Sequence, residues 1–209
     1  MSDFMMAAND CMQYAKAPIE RALVTVESAF NPYAIGVVNG RLQRQPRTKE
    51  EAVATALNLQ RLGFNFSMGC RQVNQANLAK YGLNIETVFN PEKNALAGSA
   101  IYDECLTRAV AKFGDGISAT RAALSCYYSG NFTRGQQKEG NQPSYADKVL
   151  AHLAPGEQQV VSQAIPVIAT GPLLAKPKRP STSAGTAVSP NAAKPDGPQT
   201  ASWDVFQEF

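Results

Sequence analysis

A single histidine, His152, stands in 209 residues, and that scarcity decides much of the chemistry open to the chain. Ser-His-Asp and Cys-His catalysis lack their base, and histidine-built metal sites lack their ligands. The phosphate-cradling, nucleotide-binding and metalloprotease signatures do not occur, nor do G-x-S-x-G or S-x-x-K. The four cysteines, Cys11, Cys70, Cys105 and Cys126, show no C-x-x-C spacing, which argues against a zinc knuckle or a thioredoxin-type pair. No metal site and no cofactor is therefore expected, and carboxylates are left as the acid and base groups.

Among them Glu27 is singled out by its position. Pro18 suits the first turn of a helix, and Asn31-Pro32 must end it. Ile19, Ala22, Leu23, Val26 and Phe30 recur at helical spacing and predict the buried stripe, with Glu27 on its flank in the last turn. A helix carboxyl end carries partial negative charge and an apolar wall removes water. Both disfavour the ionised carboxylate, so the position predicts a raised pKa and a general acid still protonated near neutrality. By position alone, such a glutamate is more often an exposed helix residue.

The elements that would hold it are mainly helical. Ala34 to Leu42 combines β-branched residues with Asn39-Gly40, a favoured two-residue turn, and predicts a small hairpin. Thr48 with Glu51 three residues on makes a capping box for a second helix closed by Gly63. Asn90-Pro91 opens a long helix that runs to Phe113 and Gly114, and Ser118 opens another that breaks at Ser129-Gly130-Asn131.

The order of segments around Glu27 resembles a known family, the lysozyme-like lytic transglycosylases, in the version found in type IV secretion and conjugation systems. Glu27-Ser28 matches the superfamily's Glu-Ser at a helix end, within Val26 to Ile35. Gly69-Cys70-Arg71-Gln72-Val73-Asn74 matches a second motif, Ala123 to Asn131 a third, and Ser144 to Val149 a fourth. Each is weak alone; four in family order, from about Cys11 to Leu153, are specific.

The resemblance implies a fold class of α+β, mainly α: a lysozyme-like domain over residues 1–155. It implies Glu27 as the single catalytic acid and base. Ser28, Gln72, Asn74, Tyr127 and Tyr145 are the implied substrate-binding set: Gln72 and Asn74 shape and line a saccharide cleft, while the tyrosines hold sugar or orient Glu27. A typical glycosidase needs two carboxylates, and no clear second is found; Asp103, Glu104 and Asp115 lie outside the motifs. The family's chemistry accounts for that shortage. One glutamate protonates the bond between N-acetylmuramic acid and N-acetylglucosamine, then deprotonates the muramoyl 6-hydroxyl, which closes a 1,6-anhydro ring, so proximity replaces the second carboxylate. Two departures stand out: Tyr128 occupies the place after Tyr127 where Asn is common, and Cys70 replaces an apolar residue. Tyr128 keeps open a rival reading, a non-catalytic wall-binding or assembly factor of the same apparatus.

Composition fits this frame. An apolar fraction of 44% supports a buried core, and a net charge of +3 suits weak attraction to an anionic polymer but not nucleic-acid binding. No stretch reaches the ~20 apolar residues of a membrane span, and Met1 to Lys16 shows no basic-then-apolar leader. A location in the periplasm or cell envelope therefore rests on the resemblance. The cysteines permit two disulfides without fixing their pairing. Eight of the thirteen prolines lie from Pro155 onward, so residues 156–209 read as a flexible Pro/Ala/Ser-rich tail. It ends in Trp203, Phe206 and Phe209, a candidate docking motif for envelope proteins of the secretion system.

Overall fold

A computed structural model of the chain describes residues 10–153. The expected tail, its aromatic end and the boundary at residue 155 lie outside the described residues. After a helical stretch over 10–13, helix α1 spans Pro18–Ser28 with proline in its first turn. Its start is tied by Glu20, whose Oε2 accepts the backbone amides of Lys16 and Ala17 at 3.0 Å each. The Ala17 amide, at the N-cap, is thereby satisfied together with that of the residue before it. The helix buries Ala22, Leu23, Val24 and Ser28, while Ile19 and Val26 pack half-buried at the edge of the stripe.

Strand β1, Ile35–Val37, follows. The turn at Asn39-Gly40 forms, with Asn39 at φ 57° and the Gly40 amide on the Val37 carbonyl. The ladder does not continue through it, however, and the hairpin expected over 34–42 is reduced to its turn. The true partner of β1 is β2, Phe66–Met68, which pairs antiparallel with it in the register Ile35 to Met68 and Val37 to Phe66. β2 in turn pairs with β3, Val73–Asn74, giving sheet order β1-β2-β3. All three residues of β1 are buried, so a one-sided hairpin could not have covered it. Its outer edge is closed by Gln45, whose amide accepts from the Ile35 N–H and donates to the Ile35 carbonyl.

Helix α2, Lys49–Arg61, lies between β1 and β2 and is capped by Thr48, whose hydroxyl accepts from the Glu51 amide. The Glu51 carboxylate reaches back to the Arg47 amide, with Arg44 bound to both its oxygens. Helix α3, Pro91–Phe113, begins at the Asn90 cap as expected. Helix α4, Ile117–Ser129, opens at Gly116 with no side-chain cap, two residues before the expected Ser118. The short α5, Tyr145–Leu150, is capped by Ser144.

Two apolar cores share α3. One joins the sheet and α2 to Ala97 in its first half; the other joins α1, α4 and α5 to Tyr102, Cys105 and Ala109 in its second. A third, smaller cluster gathers Cys11, Ala15, Val24 and Cys70. Both disulfides form: Cys11 with Cys70 and Cys105 with Cys126, each with Cα atoms 5.7 Å apart. Among the described residues no helix is long and apolar enough to cross a membrane.

Candidate active site

Helix α1 ends where the sheet lobe begins, and its last turn carries Glu27, half-buried. The chain leaves the helix through Ala29 at φ 48° and Phe30 at φ 63°, two consecutive non-glycine residues in the left-handed region. Each costs on the order of 1–2 kcal/mol, and such strain collects where a fold must hold a side chain in one place. Ser28 supplies the anchor. Its hydroxyl is buried and donates to the Cys70 carbonyl at 2.8 Å and to Val24 at 3.3 Å. The residue after Glu27 is thus fixed to the turn between β2 and β3.

That turn, Gly69 to Gln72, is the second motif, and every member is tied. Gly69, at φ 79°, has room only for hydrogen where a Cβ would lie 2.3 Å from Asn94 Nδ2. Asn94, fully buried in α3, accepts the Arg71 amide at 2.7 Å and donates to the Met68 and Val88 carbonyls at 2.9 Å. Gln72, at φ 48°, donates to the carbonyls of Ala34 and Gly69. Asn74 is buried, its amide donating to Asn65 and Phe66 while its Oδ1 caps Ala76. Ser28 and Asn74, expected to bind substrate, have polar atoms bonded to protein in this arrangement. Gln72 shapes the turn from a half-buried position.

The tyrosines come from the other lobe. Tyr145, at the start of α5, donates its hydroxyl to Glu27 Oε1. Burial pushes this phenol well above its ordinary range, and the Glu27 charge beside it pushes the same way. Tyr127, in the last turn of α4, donates to the Arg71 carbonyl at 2.7 Å, and its ring meets Tyr102 edge-on. Its phenol is also pushed up, first by burial and then by Glu27, with Arg71 opposing. Glu27, Tyr127, Tyr145 and the Arg71 turn, from α1, α4, α5 and the sheet, thus converge. Of the other carboxylates weighed in the sequence, Glu104 pairs with Lys80 and Tyr81 on the surface.

Three contributors were missed in the sequence. Arg71 is fully buried, its Nη2 standing 3.0 Å from Glu20 Oε1 as an ion pair, yet none of its guanidinium nitrogens has an aligned protein acceptor. A charged residue gives no sequence sign of such burial. Glu20 could have been noticed as an acid three residues into a helix start. Tyr128 lies beside Tyr127 in the motif and stacks on Tyr145, with ring centroids 4.6 Å apart and planes at 18°. Cys70, which stands where an apolar residue is usual, is disulfide-bonded to Cys11 within the small apolar cluster.

Comparison with known proteins agrees with this geometry. Residues 4–150 match the family profile described as the Transglycosylase SLT domain. The Type IV secretion system protein virB1 of Brucella abortus is 48% identical over 152 residues, and the counterparts in Brucella melitensis and Brucella suis match equally. The alignment covers 72% of this chain and 64% of each relative, so the chain spans under two thirds of their length. No solved structure matches the chain significantly. With the catalytic-type glutamate at its helix end, its four motifs in order and most of its length matched, the chain belongs to the transglycosylase SLT domain family.

Proposed function

We propose that the chain is a peptidoglycan lytic transglycosylase that cleaves the β-1,4 bond from N-acetylmuramic acid to N-acetylglucosamine, with Glu27 as its one catalytic acid and base. The observation that supports this reading is the Tyr145 hydroxyl on Glu27 Oε1, which orients the carboxyl. Protonation of the glycosidic oxygen by the Glu27 carboxylic acid breaks the bond and leaves Glu27 ionised, a state the Tyr145 donor stabilises. The carboxylate then takes the proton of the muramoyl 6-hydroxyl as that oxygen closes on its own anomeric carbon. Atoms balance without water: one chain end leaves as an alcohol, the other as a 1,6-anhydro sugar. Tyr127 and Gln72 flank the saccharide, whereas Ser28 and Asn74 fix the turn beneath it.

The names of the Brucella relatives support a setting in a type IV secretion or conjugation apparatus, where local wall cleavage in the cell envelope makes room for the channel. The terminal aromatics of the tail are assigned to docking on envelope components; deleting Ser202 to Phe209 spares wall cleavage and weakens capture of those components. The test of the chemistry is mass analysis of wall digests. Wild type yields anhydromuramic ends, and Glu27→Gln, near-isosteric, yields almost none while keeping its circular dichroism. Reducing ends instead would make the enzyme a hydrolase; a wild type as inert as Glu27→Gln would make it a binding factor.

A further inference from the structure

Tyr128 is buried, stacked on the ring of the tyrosine that holds the proposed acid, and outside the chemistry described above. Its surroundings fix it on several sides. The hydroxyl donates to Glu139 Oε1 at 3.3 Å, in the loop that precedes α5. The backbone of Gly135 presses close: a Cβ there would lie 3.2 Å from Tyr128 Cδ1 and 2.7 Å from the Ser125 Cα. Gly135 is itself drawn in by its amide, which donates to Ser125 Oγ at 2.8 Å. Tyr128 is thus contacted on several sides, and its ring lies near-parallel against that of Tyr145. A phenol pivoting on its Cβ swings its hydroxyl through the widest arc, so a ring held flat places the oxygen that touches Glu27.

We infer that Tyr128 is a positioning residue for the glycosidic cleavage, acting through its stack on Tyr145 to hold the Tyr145 hydroxyl on Glu27. This rests on the function proposed above. The consequence is geometric, because a misplacement of ~1 Å at a reacting group costs up to about 100-fold in rate. The loss therefore falls on turnover and not on binding of the wall.

The experiment measures initial rates of the purified full chain against concentration of purified wall, in single variants and in a Tyr145→Phe background. Tyr128→Leu is expected to lower kcat about 10- to 100-fold with KM within about twofold. Tyr128→Phe keeps the stacked ring and restores most of that loss. In the Tyr145→Phe background, where no hydroxyl is left to position, Tyr128→Leu lowers kcat by less than about threefold, since effects that act through one partner do not add. Tyr128→Met, which fills more of the space without a flat ring, is read in the same way should the leucine variant lose its near-UV circular dichroism. Wild-type kcat in a folded aliphatic variant, or equal losses in the two backgrounds, overturns the inference. If Glu27→Gln is inert while the aliphatic variants turn over normally, the inference alone fails; if wild type and Glu27→Gln are equally inert, the proposed function fails and takes it along.

Discussion

Substituting Glu20 by Gln tests the electrostatic frame under the site. Arg71 is sealed from solvent, and among the described residues the charge paired with it is Glu20, 3.0 Å away, whose side chain is 21% exposed. Glu20 Oε1 also accepts the Ser99 hydroxyl, and Oε2 two backbone amides. A glutamine cannot serve both sides: its NH2 must face either the guanidinium and Ser99 or the two amides. Removing one partner of a buried ion pair strands the other charge, at a cost of about 3–5 kcal/mol, which is roughly 6–20 °C in Tm for a domain of this size. Arg71→Met should cost less, below about 2 kcal/mol, because it removes the sealed charge and leaves Glu20 with three donors at the protein edge. The double variant should recover part of the Glu20→Gln loss. Thermal and urea unfolding of the four proteins give the cycle. Acid adds a signed check: burial raises the Glu20 pKa, but Ser99, Ala17 and Arg71 together outweigh it and hold it below the ordinary value. A depressed pKa contributes stability that is present above the unfolded pKa of about 4.3 and lost as pH falls through the folded one. Between pH 5 and 3, wild type should therefore lose more Tm than Glu20→Gln. A Glu20→Gln loss under about 1 kcal/mol, or single effects that simply add, would refute the buried-charge argument.

Removing the Cys11–Cys70 bond by double alanine substitution should destabilise by about 4 kcal/mol and removing Cys105–Cys126 by about 3 kcal/mol, the order following their sequence separations of 59 and 21. Chemical unfolding that ranks them the other way would show that native-state contacts dominate. Because the Cys70 carbonyl also receives Ser28, the first pair should in addition lower wall turnover more than the second does. Gly69→Ala forces a side chain into a left-handed backbone and into Asn94, and should cost about 3–5 kcal/mol by strain plus broken buried hydrogen bonds. Gly63→Ala, at φ 75° with nothing nearby, isolates the strain alone at about 1–2 kcal/mol; equal losses in the two would remove Asn94 from the account.

The helices were legible because their signals are local. Pro18, Thr48, Asn90 and Gly114 act within one turn of themselves, and the structure places helix ends within a residue or two of where those residues put them. Only Ser118 misled, since Gly116 gives the chain its entry without a side-chain cap. The sheet was less legible for the opposite reason. An Asn-Gly turn announces that the chain reverses, not which segment it pairs with afterwards. Ile35 to Val37 pairs with Phe66 to Met68 across the whole of α2, and nothing short of the tertiary packing of two buried strands specifies that choice. Likewise, four cysteines admit several pairings, and only the fold brings Cys11 beside Cys70.

At the site, the divide runs between residues proposed to do chemistry and residues that hold them. Glu27, Tyr127 and Tyr145 could be found because motif order marks them, and the structure brings them together. The same motifs also named Ser28 and Asn74, but a motif records that a residue type is required without recording why; here both are required by backbone carbonyls and amides they satisfy. The support under them was invisible. Arg71 reads as surface in any composition argument, yet its stem lies against Gly98, where a Cβ would stand 2.5 Å from its own Cβ, and its carbonyl receives Tyr127. A glycine in mid-helix normally costs about 1 kcal/mol relative to alanine. Its presence in α3 is explained by the buried arginine it admits, so Gly98→Ala should lower stability in wild type and do so much less in Arg71→Ala, where the clashing stem is gone. Thermal unfolding of the two pairs measures this, and an equal loss in both backgrounds would mean that Gly98 serves some other contact and that Arg71 reaches its place without it.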